Sequence, residues 1–321
     1  MVNGDQDNMI RVVKQLLKKI LPYKVYIWFV CQEGKRFPVQ KAKRKYKIVF
    51  QKKLNLDNPQ TFTEKVNWLK LFYYPYDSLT ILAGDKWGLH LFLKERGLSE
   101  VSSPILYVFD SVEEICWESL PEKFVIKKSN ASAYNIIVTN KDKADEEKIK
   151  HTIKQWMNTP YGYLTGECHY EKMQPKIVFE RFIEGIEEWR LFCLNGRVQM
   201  IQIMHALREP GKEVKEGRAE VVSIYFDLEG TVIGTLGSRY KEFSIHYPVG
   251  GKIQLPDYFD QMSEIATAVA KDFPFVRVDV SYGEGRLFLG ELTFTPANGY
   301  GIYTPSIQKK LGEKLILPKL K

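Results

Sequence analysis

Two carboxylates set inside apolar strands constrain this chain more than any other feature. Phe275-Val276-Arg277-Val278-Asp279-Val280 and Phe288-Leu289-Gly290-Glu291-Leu292-Thr293-Phe294 are rich in aromatic and β-branched residues and read as strands. Between them Ser281-Tyr282-Gly283-Glu284-Gly285-Arg286 reads as a turn, so the pair is expected to form a β-hairpin. Side chains alternate faces along a strand. Val276, Val278 and Val280 then share one face, with Arg277 and Asp279 on the other; Phe288, Leu292 and Phe294 oppose Glu291 and Thr293 in the same way. Folding about Gly283–Gly285 is expected to set Asp279 near Leu289 and Arg277 near Glu291, with Asp279 diagonal to Glu291. A charge buried without a partner is costly, so these groups need a reason. One reading is a structural salt bridge from Arg277. The other is a site for a hard cation such as Mg²⁺, which takes one or two carboxylates plus phosphate oxygens.

The rest of the chain narrows the setting. Its 321 residues are enough for about two domains, and 44% apolar with 27% charged residues marks a globular chain. The longest apolar run, residues 25–31, is too short to span a bilayer, and no small-residue cleavage site follows it. Cys31, Cys116, Cys168 and Cys193 lack paired spacing, which argues against a zinc site or disulfide framework and fits a cytoplasmic location. The net charge of +8 is uneven, because residues 11–53 are crowded with Lys and Arg interleaved with Trp28, Phe29 and Tyr26. Such a segment suits an anionic membrane surface, on the inner face of the plasma membrane; the other reading is a solubilising, poorly packed extension. Nucleic acid is not an expected partner, since no recognition motif accompanies the charge.

Hydrophobic spacing predicts helices over 61–73, 85–96, 111–120, 144–158 and 257–272. Strands are expected at 104–109, 123–127, 134–138, 176–180, 188–194, 197–205 and 220–226, with Asn195-Gly196 as a hairpin turn and 207–219 as a charged loop. The layout is α+β, with a cleft between a small β-rich lobe and a larger mixed one. The divisions are a basic extension (1–54), a helical region (55–121), a small lobe (122–179) and a large lobe (180–321).

Three segments in order, FVIKKSNASAYNIIV, IVFERFIEGIEEWRLFCLNGR and FVRVDVSYGEGRLFLGELTFTPANG, together with TFTEKVNWLKLFY, Asp85-Lys86 and ECHYEKMQPKIVFE, resemble an ATP-grasp enzyme. The branch they resemble is the one named for teichuronopeptide biosynthesis, and the likeness covers roughly residues 55–317. It implies an ATP-grasp fold, two α+β lobes clasping ATP, here preceded by a basic helical region. By the same resemblance Lys86 and Lys127 contact the nucleotide, and Ser129, Asn130 and Ser132 belong to a loop covering the phosphates. That loop is expected to carry glycine, where this chain has Ala131 and Ala133. Glu180, Arg181, Phe182 and Ile183 match the linker that receives adenine, Glu187 or Glu188 the ribose ligand, and Arg190 a phosphate ligand. Asp279 and Glu291 match magnesium carboxylates, for two ions. Thr293 stands where many relatives have Asn, a role Asn298 could take.

The implied chemistry is carboxylate–amine ligation through an acyl phosphate, with Arg277, Lys127 and Arg190 as the catalytic set. Implied substrates are a carboxylate and an amine, on a small molecule or a glycan: a sugar acid or amino acid of a bacterial surface polysaccharide. His169 and Asn298 are weaker candidates for substrate contact. Rival readings are a kinase on the same scaffold, a glycosyltransferase and a non-catalytic nucleotide-binding protein.

Overall fold

The computed structural model describes residues 22–207, 220–236 and 247–320. Of the loops at 160–175, 206–219 and 234–250, to which pocket specificity is expected to fall, the last two lie largely outside that range, as do residues 11–21 of the basic segment.

Two helices open the described chain, α1 (Tyr23–Arg36) and α2 (Pro38–Phe50). The described part of the basic segment is therefore packed rather than a loose extension. Gly34 of α1 abuts the Tyr163 carbonyl so closely that a Cβ would lie 1.9 Å from its oxygen. Lys41 Nζ donates to the carbonyls of Val30, Tyr163 and Leu164 at 3.2, 2.8 and 2.8 Å. Those two tyrosine-side carbonyls end the short helix α7 (Tyr161–Thr165), where unsatisfied carbonyls favour a cation. Ala42 and Tyr46 of α2 join Leu54, Leu56, Leu71 and Tyr300 in one buried cluster.

Helix α3 (Phe62–Phe72) starts where its sequence dictates: Thr61 and Glu64 form a reciprocal capping box. Asp85 caps α5 (Lys86–Glu95) by accepting from the Trp87 and Gly88 amides. Between them runs α4 (Ser78–Gly84), capped by Asp77, which hydrophobic spacing did not single out. The helix expected over 111–120 is absent; Val112–Glu114 and Trp117–Ser119 are separate single 3₁₀ turns. No side chain caps either turn, and Ile115 and Cys116 between them are extended, so no helical ladder can propagate.

The small lobe is a four-stranded antiparallel sheet in the order β1-β4-β2-β3, built from β1 (Ile105–Phe109), β2 (Phe124–Lys128), β3 (Asn135–Val138) and β4 (Ile177–Arg181). β1, expected as an extended segment at 104–109, forms one edge. Alternation in β2 buries Phe124 and Ile126 beneath α6 (Glu146–Met157) and turns Val125 and Lys127 the other way.

The large lobe is a six-stranded antiparallel sheet in the order β10-β9-β5-β6-β7-β8. Its strands are β5 (Glu187–Leu194), β6 (Arg197–Leu207), β7 (Glu220–Phe226), β8 (Val232–Leu236), β9 (Phe275–Gly283) and β10 (Arg286–Thr293). α8 (Phe259–Ala270) covers one face, burying Met262, Ala266 and Val269 against β5, β6 and β9. α9 (Pro305–Lys314) packs beside α3; neither it nor β8 was anticipated. The β9–β10 strands run further than expected, leaving only Glu284-Gly285 as the turn, with φ of 51° and 74°. Two left-handed residues match the twist of a tight hairpin.

Because α1 meets α7 without space for a side chain, Gly34→Ala should overpack that contact at a cost of about 1–3 kcal/mol. Limited trypsin digestion should then release the α1–α2 pair while the two sheets stay protected; unchanged protection of the pair would refute the packing account.

Candidate active site

The hairpin register differs from the expected one, and the difference builds the site. Leu289 pairs with Val280, but the next pairs are Glu291 with Asp279 and Thr293 with Arg277, so Gly290 is an extra residue in a β-bulge. An unbroken strand with Leu289 in the core would point Glu291 into the core as well. The bulge resets the alternation. Leu289 and Leu292 are both in the core, while Phe288 and Glu291 both face the cleft. Glu291 thus stands directly opposite Asp279 rather than diagonal to it, at the cross-strand spacing of about 4.5–5.5 Å between Cα atoms.

Arg277 grips Asp279 with two hydrogen bonds, Nε to Oδ1 at 2.6 Å and Nη2 to Oδ2 at 2.5 Å. The same Nη2 donates to Thr293 at 3.1 Å. Arg190, across the sheet from Asp279, donates to Glu188 at 3.0 Å and to the Met204 sulfur. Its Nε is buried without a hydrogen-bond partner, 4.0 Å from Asp279 Oδ2. From the opposite wall Lys86 Nζ reaches Glu291 at 3.4 Å and donates to the Ala131 carbonyl at 2.7 Å. Lys127 pairs with Glu180 at 2.7 Å on the neighbouring strand β4.

Burial raises the Asp279 carboxyl above its ordinary range, although Arg277 pulls against it. Burial opposes charge on Glu291 too, but Lys86, Arg277 and Lys127 outweigh it and hold that carboxyl below the usual range.

Between the two sheets lies a cavity of about 510 Å³. It collects Lys86, Lys127, Glu180, Arg181, Phe182, Ile183, Glu188, Asp279 and Glu291, all singled out from sequence. Val125, Ile137, Ile186 and Phe288 add apolar walls that sequence reading missed. Strand parity could have found Val125, two residues before Lys127; Phe288 was hidden by the bulge. Glu187 and Glu188, adjacent on β5, part company: Glu188 lines the cavity, and Glu187 accepts from the Tyr258 hydroxyl at 2.5 Å. Arg277, Thr293 and Arg190 form the layer behind the two carboxylates.

These residues fit magnesium and a nucleoside triphosphate. Two opposed carboxylates face Lys86, held by Glu291 and the Ala131 carbonyl, and Lys127, held by Glu180, and the Arg190 Nε without a hydrogen bond lies behind them. Among the described residues no group of three or more His, Cys, Asp or Glu converges. A cation on Asp279 and Glu291 would therefore draw further oxygens from phosphate and water, as Mg²⁺ does.

The sequence profile of the TupA-like ATPgrasp family matches residues 64–316. The chain belongs to the TupA-like ATP-grasp family. Among solved structures it is similar to D-alanine–D-alanine ligase from Bacillus anthracis, at 16% identity and TM-score 0.43, over 74% of this chain and 68% of that one. VanG D-Ala:D-Ser ligase from Enterococcus faecalis is 15% identical with TM-score 0.44, over 74% of this chain and 62% of that one. The ATP-grasp ligase PsnB bound to its minimal precursor is 13% identical with TM-score 0.43, over 75% of this chain and 62% of that one. A search of curated proteins finds none that matches in sequence.

In this TupA-like protein the loop after β2 is tied down. Ser129 is buried, its carbonyl accepts from the Lys86 amide at 3.1 Å, and its hydroxyl accepts from the Lys176 amide at 2.9 Å. Asn130 is buried and donates to the Tyr170 carbonyl at 3.1 Å. Ser132 is exposed. Ala131 is buried among Tyr161, Tyr170 and Met173. Ala133 lines the cavity with φ of 61°, a conformation that costs an L-residue roughly 1–2 kcal/mol.

The two weaker candidates sit away from the cavity. Asn298 donates to the Thr165 carbonyl at 2.8 Å, and its own carbonyl accepts from buried Lys70 at 2.8 Å. His169 is fully buried between Tyr74 and Tyr170, and neither ring nitrogen has a hydrogen-bond partner. Desolvation, with Lys70 adding to it, pushes its pKa down to about 3.

Two predictions follow from these placements. His169 stays neutral in the folded chain down to pH about 3, whereas the unfolded chain protonates it at about 6.5. Its burial therefore stabilises fully above pH 6.5 and progressively less as pH falls toward 3. Between pH 7.5 and 5 the wild type should lose about 2 kcal/mol more than His169→Phe in urea unfolding. Equal losses would refute the assignment. At the loop, Ala133→Gly should raise stability by up to about 1 kcal/mol, while Ala131→Gly should lower it by about the same amount. A matching response at both positions would show that the left-handed backbone is not the cause.

Proposed function

We propose that this protein is an ATP- and magnesium-dependent ligase that joins a carboxylate to an amine. The observation that carries the reading is the Glu291–Asp279 pair facing Lys86 and Lys127 across the cleft of an ATP-grasp chain. In this reading the adenine lies against Val125, Ile137, Ile186 and Phe288, beside the strand end and linker from Glu180 to Ile183. Glu188 takes the ribose hydroxyls. Lys127 leaves Glu180 for phosphate, and Lys86 leaves Glu291, exchanging an internal partner for a more highly charged one. Magnesium held by Asp279 and Glu291 would neutralise charge on the transferring phosphoryl group.

The substrate carboxylate oxygen takes the terminal phosphoryl group and ADP leaves. The amine nitrogen then attacks the acyl carbon, phosphate departs and an amide remains. In this reading Arg277, held by Asp279 and Thr293, offsets the negative oxygen that develops in the second step. Arg190, with an N–H left over, steadies the phosphates from the sheet side. The substrates proposed are a sugar acid or amino acid of a surface-polysaccharide precursor and a partner amine, a class suggested by the family likeness.

Thermal unfolding of wild type and Glu291→Gln with Mg²⁺-ATP, with Mg²⁺-UDP-sugars and without ligand tests the site. Ligand at ~100 times its dissociation constant adds about 2.7 kcal/mol of stability. Mg²⁺-ATP should raise the wild-type transition, and Glu291→Gln should lose most of that rise. ADP release dependent on both an acid and an amine then identifies the ligase. Stabilisation by UDP-sugars alone would make it a glycosyltransferase, a phosphorylated hydroxyl product a kinase, and ATP binding without turnover under any acid and amine a nucleotide-binding protein.

A further inference from the structure

The outer face of α1 has no partner among the described residues and has an unusual composition. Val25, Trp28, Phe29, Gln32 and Arg36 fall on one side at helical spacing, with Lys24 and Lys35 on its flanks. Trp28 is 56% exposed, Phe29 is 49% exposed, and their rings contact each other edge to face. Tyr23 and Phe37, at the two ends of the helix, are exposed as well. Large aromatic side chains held in water at this density mark a contact surface. The inner face of the same helix is committed to the protein, through Cys31, Gly34 and the contact with α7. Exposure is therefore not a sign that α1 is loosely held.

Charge selects the occupant. Residues 22–53 contain ten Lys and Arg against one acid, Glu33, and that acid is paired with Arg44. The excess in this short stretch is larger than the net +8 of the whole chain, so the remainder does not share it. A helix with aromatic residues on its apolar side and Lys and Arg along the rim matches the interface of an anionic bilayer. There the rings enter the headgroup layer and the cations meet lipid phosphates. Among the described residues no helix is long and apolar enough to cross a membrane, so contact would be from the surface.

We propose that α1 and α2 dock this protein on an anionic membrane surface, with Trp28 and Phe29 inserted and Lys24, Lys35 and Arg36 at the headgroups. The site would lie close to that surface. α1 rests on α7, Tyr161 of α7 packs on Tyr134, and Tyr134 lines the nucleotide cavity. Docking would present the cleft to a substrate carried on a lipid. The proposal stands apart from the ligase reading, because vesicle binding needs neither nucleotide nor turnover.

The test is co-sedimentation of the full chain with vesicles of phosphatidylcholine alone and of phosphatidylcholine with about one-third phosphatidylglycerol. Wild type should bind the anionic vesicles at least roughly tenfold better than the neutral ones, and the advantage should fall as salt is raised. Trp28→Ser/Phe29→Ser, both at exposed positions, should keep the wild-type melting temperature and lose most of the binding. Lys24→Glu/Lys35→Glu should lose it too. Absence of binding, equal binding to both vesicles, or full binding by the Trp28/Phe29 variant would overturn the proposal. So would a wild-type dimer in light scattering that the same variant converts to monomer, since the face would then belong to a second copy.

Discussion

Along a β-strand a residue faces core or cleft according to its parity, and one extra residue at Gly290 reverses that parity in β10. Upstream of it Leu287 and Leu289 are in the core; downstream Leu292 is, so Glu291 turns outward to meet Asp279. The bulge lets one short strand seal the hydrophobic core along its whole length and still deliver a carboxylate to the cleft. Pair Gly290 in regular register instead and either Leu289 or Glu291 must be on the wrong side. The pairing of Arg277 with Thr293 follows from the same shift.

Around that pair the cleft is electrically self-contained. Lys127 answers Glu180, Lys86 answers Glu291, Arg277 answers Asp279 and Arg190 answers Glu188. Each lysine is thereby held ready on a strand or helix start rather than left on a flexible stem. The arginine beneath the carboxylates is a different case: it is bidentate and buried, so it orients Asp279 as much as it balances its charge.

Much of this was legible in the sequence. Turn residues marked Asn195-Gly196, capping residues Thr61 and Asp85 fixed helix starts, and apolar alternation gave the hairpin strands. Of the polar residues named in advance the cavity gathers Lys86, Lys127, Glu180, Arg181, Glu188, Asp279 and Glu291, because motif order along the chain reflects the two facing sheets. What failed to show has a physical reason in each case. The isolated glycine in the strand is the one available sign of the bulge, but a Cβ at Gly290 would meet nothing closer than 3.8 Å, so sterics do not demand it. The turns at 112–119 share helical composition but lack caps. The packing of the basic segment rests on Gly34 and on Lys41 reaching backbone carbonyls, contacts that charge patterning does not encode.

Arg181, at the end of β4, forms a two-pronged pair with Glu284 at the tip of the β9–β10 hairpin, at 2.7 and 2.6 Å. The pair ties the small-lobe sheet to the large-lobe sheet at the rim of the cavity. Both side chains are well exposed, so water and dissolved ions compete for each of them and the tie is weak. It acts as a detent rather than a bolt. It favours one mutual setting of the sheets, and a rise in dissolved salt weakens that preference before it touches the buried Arg277–Asp279 pair beneath the cavity.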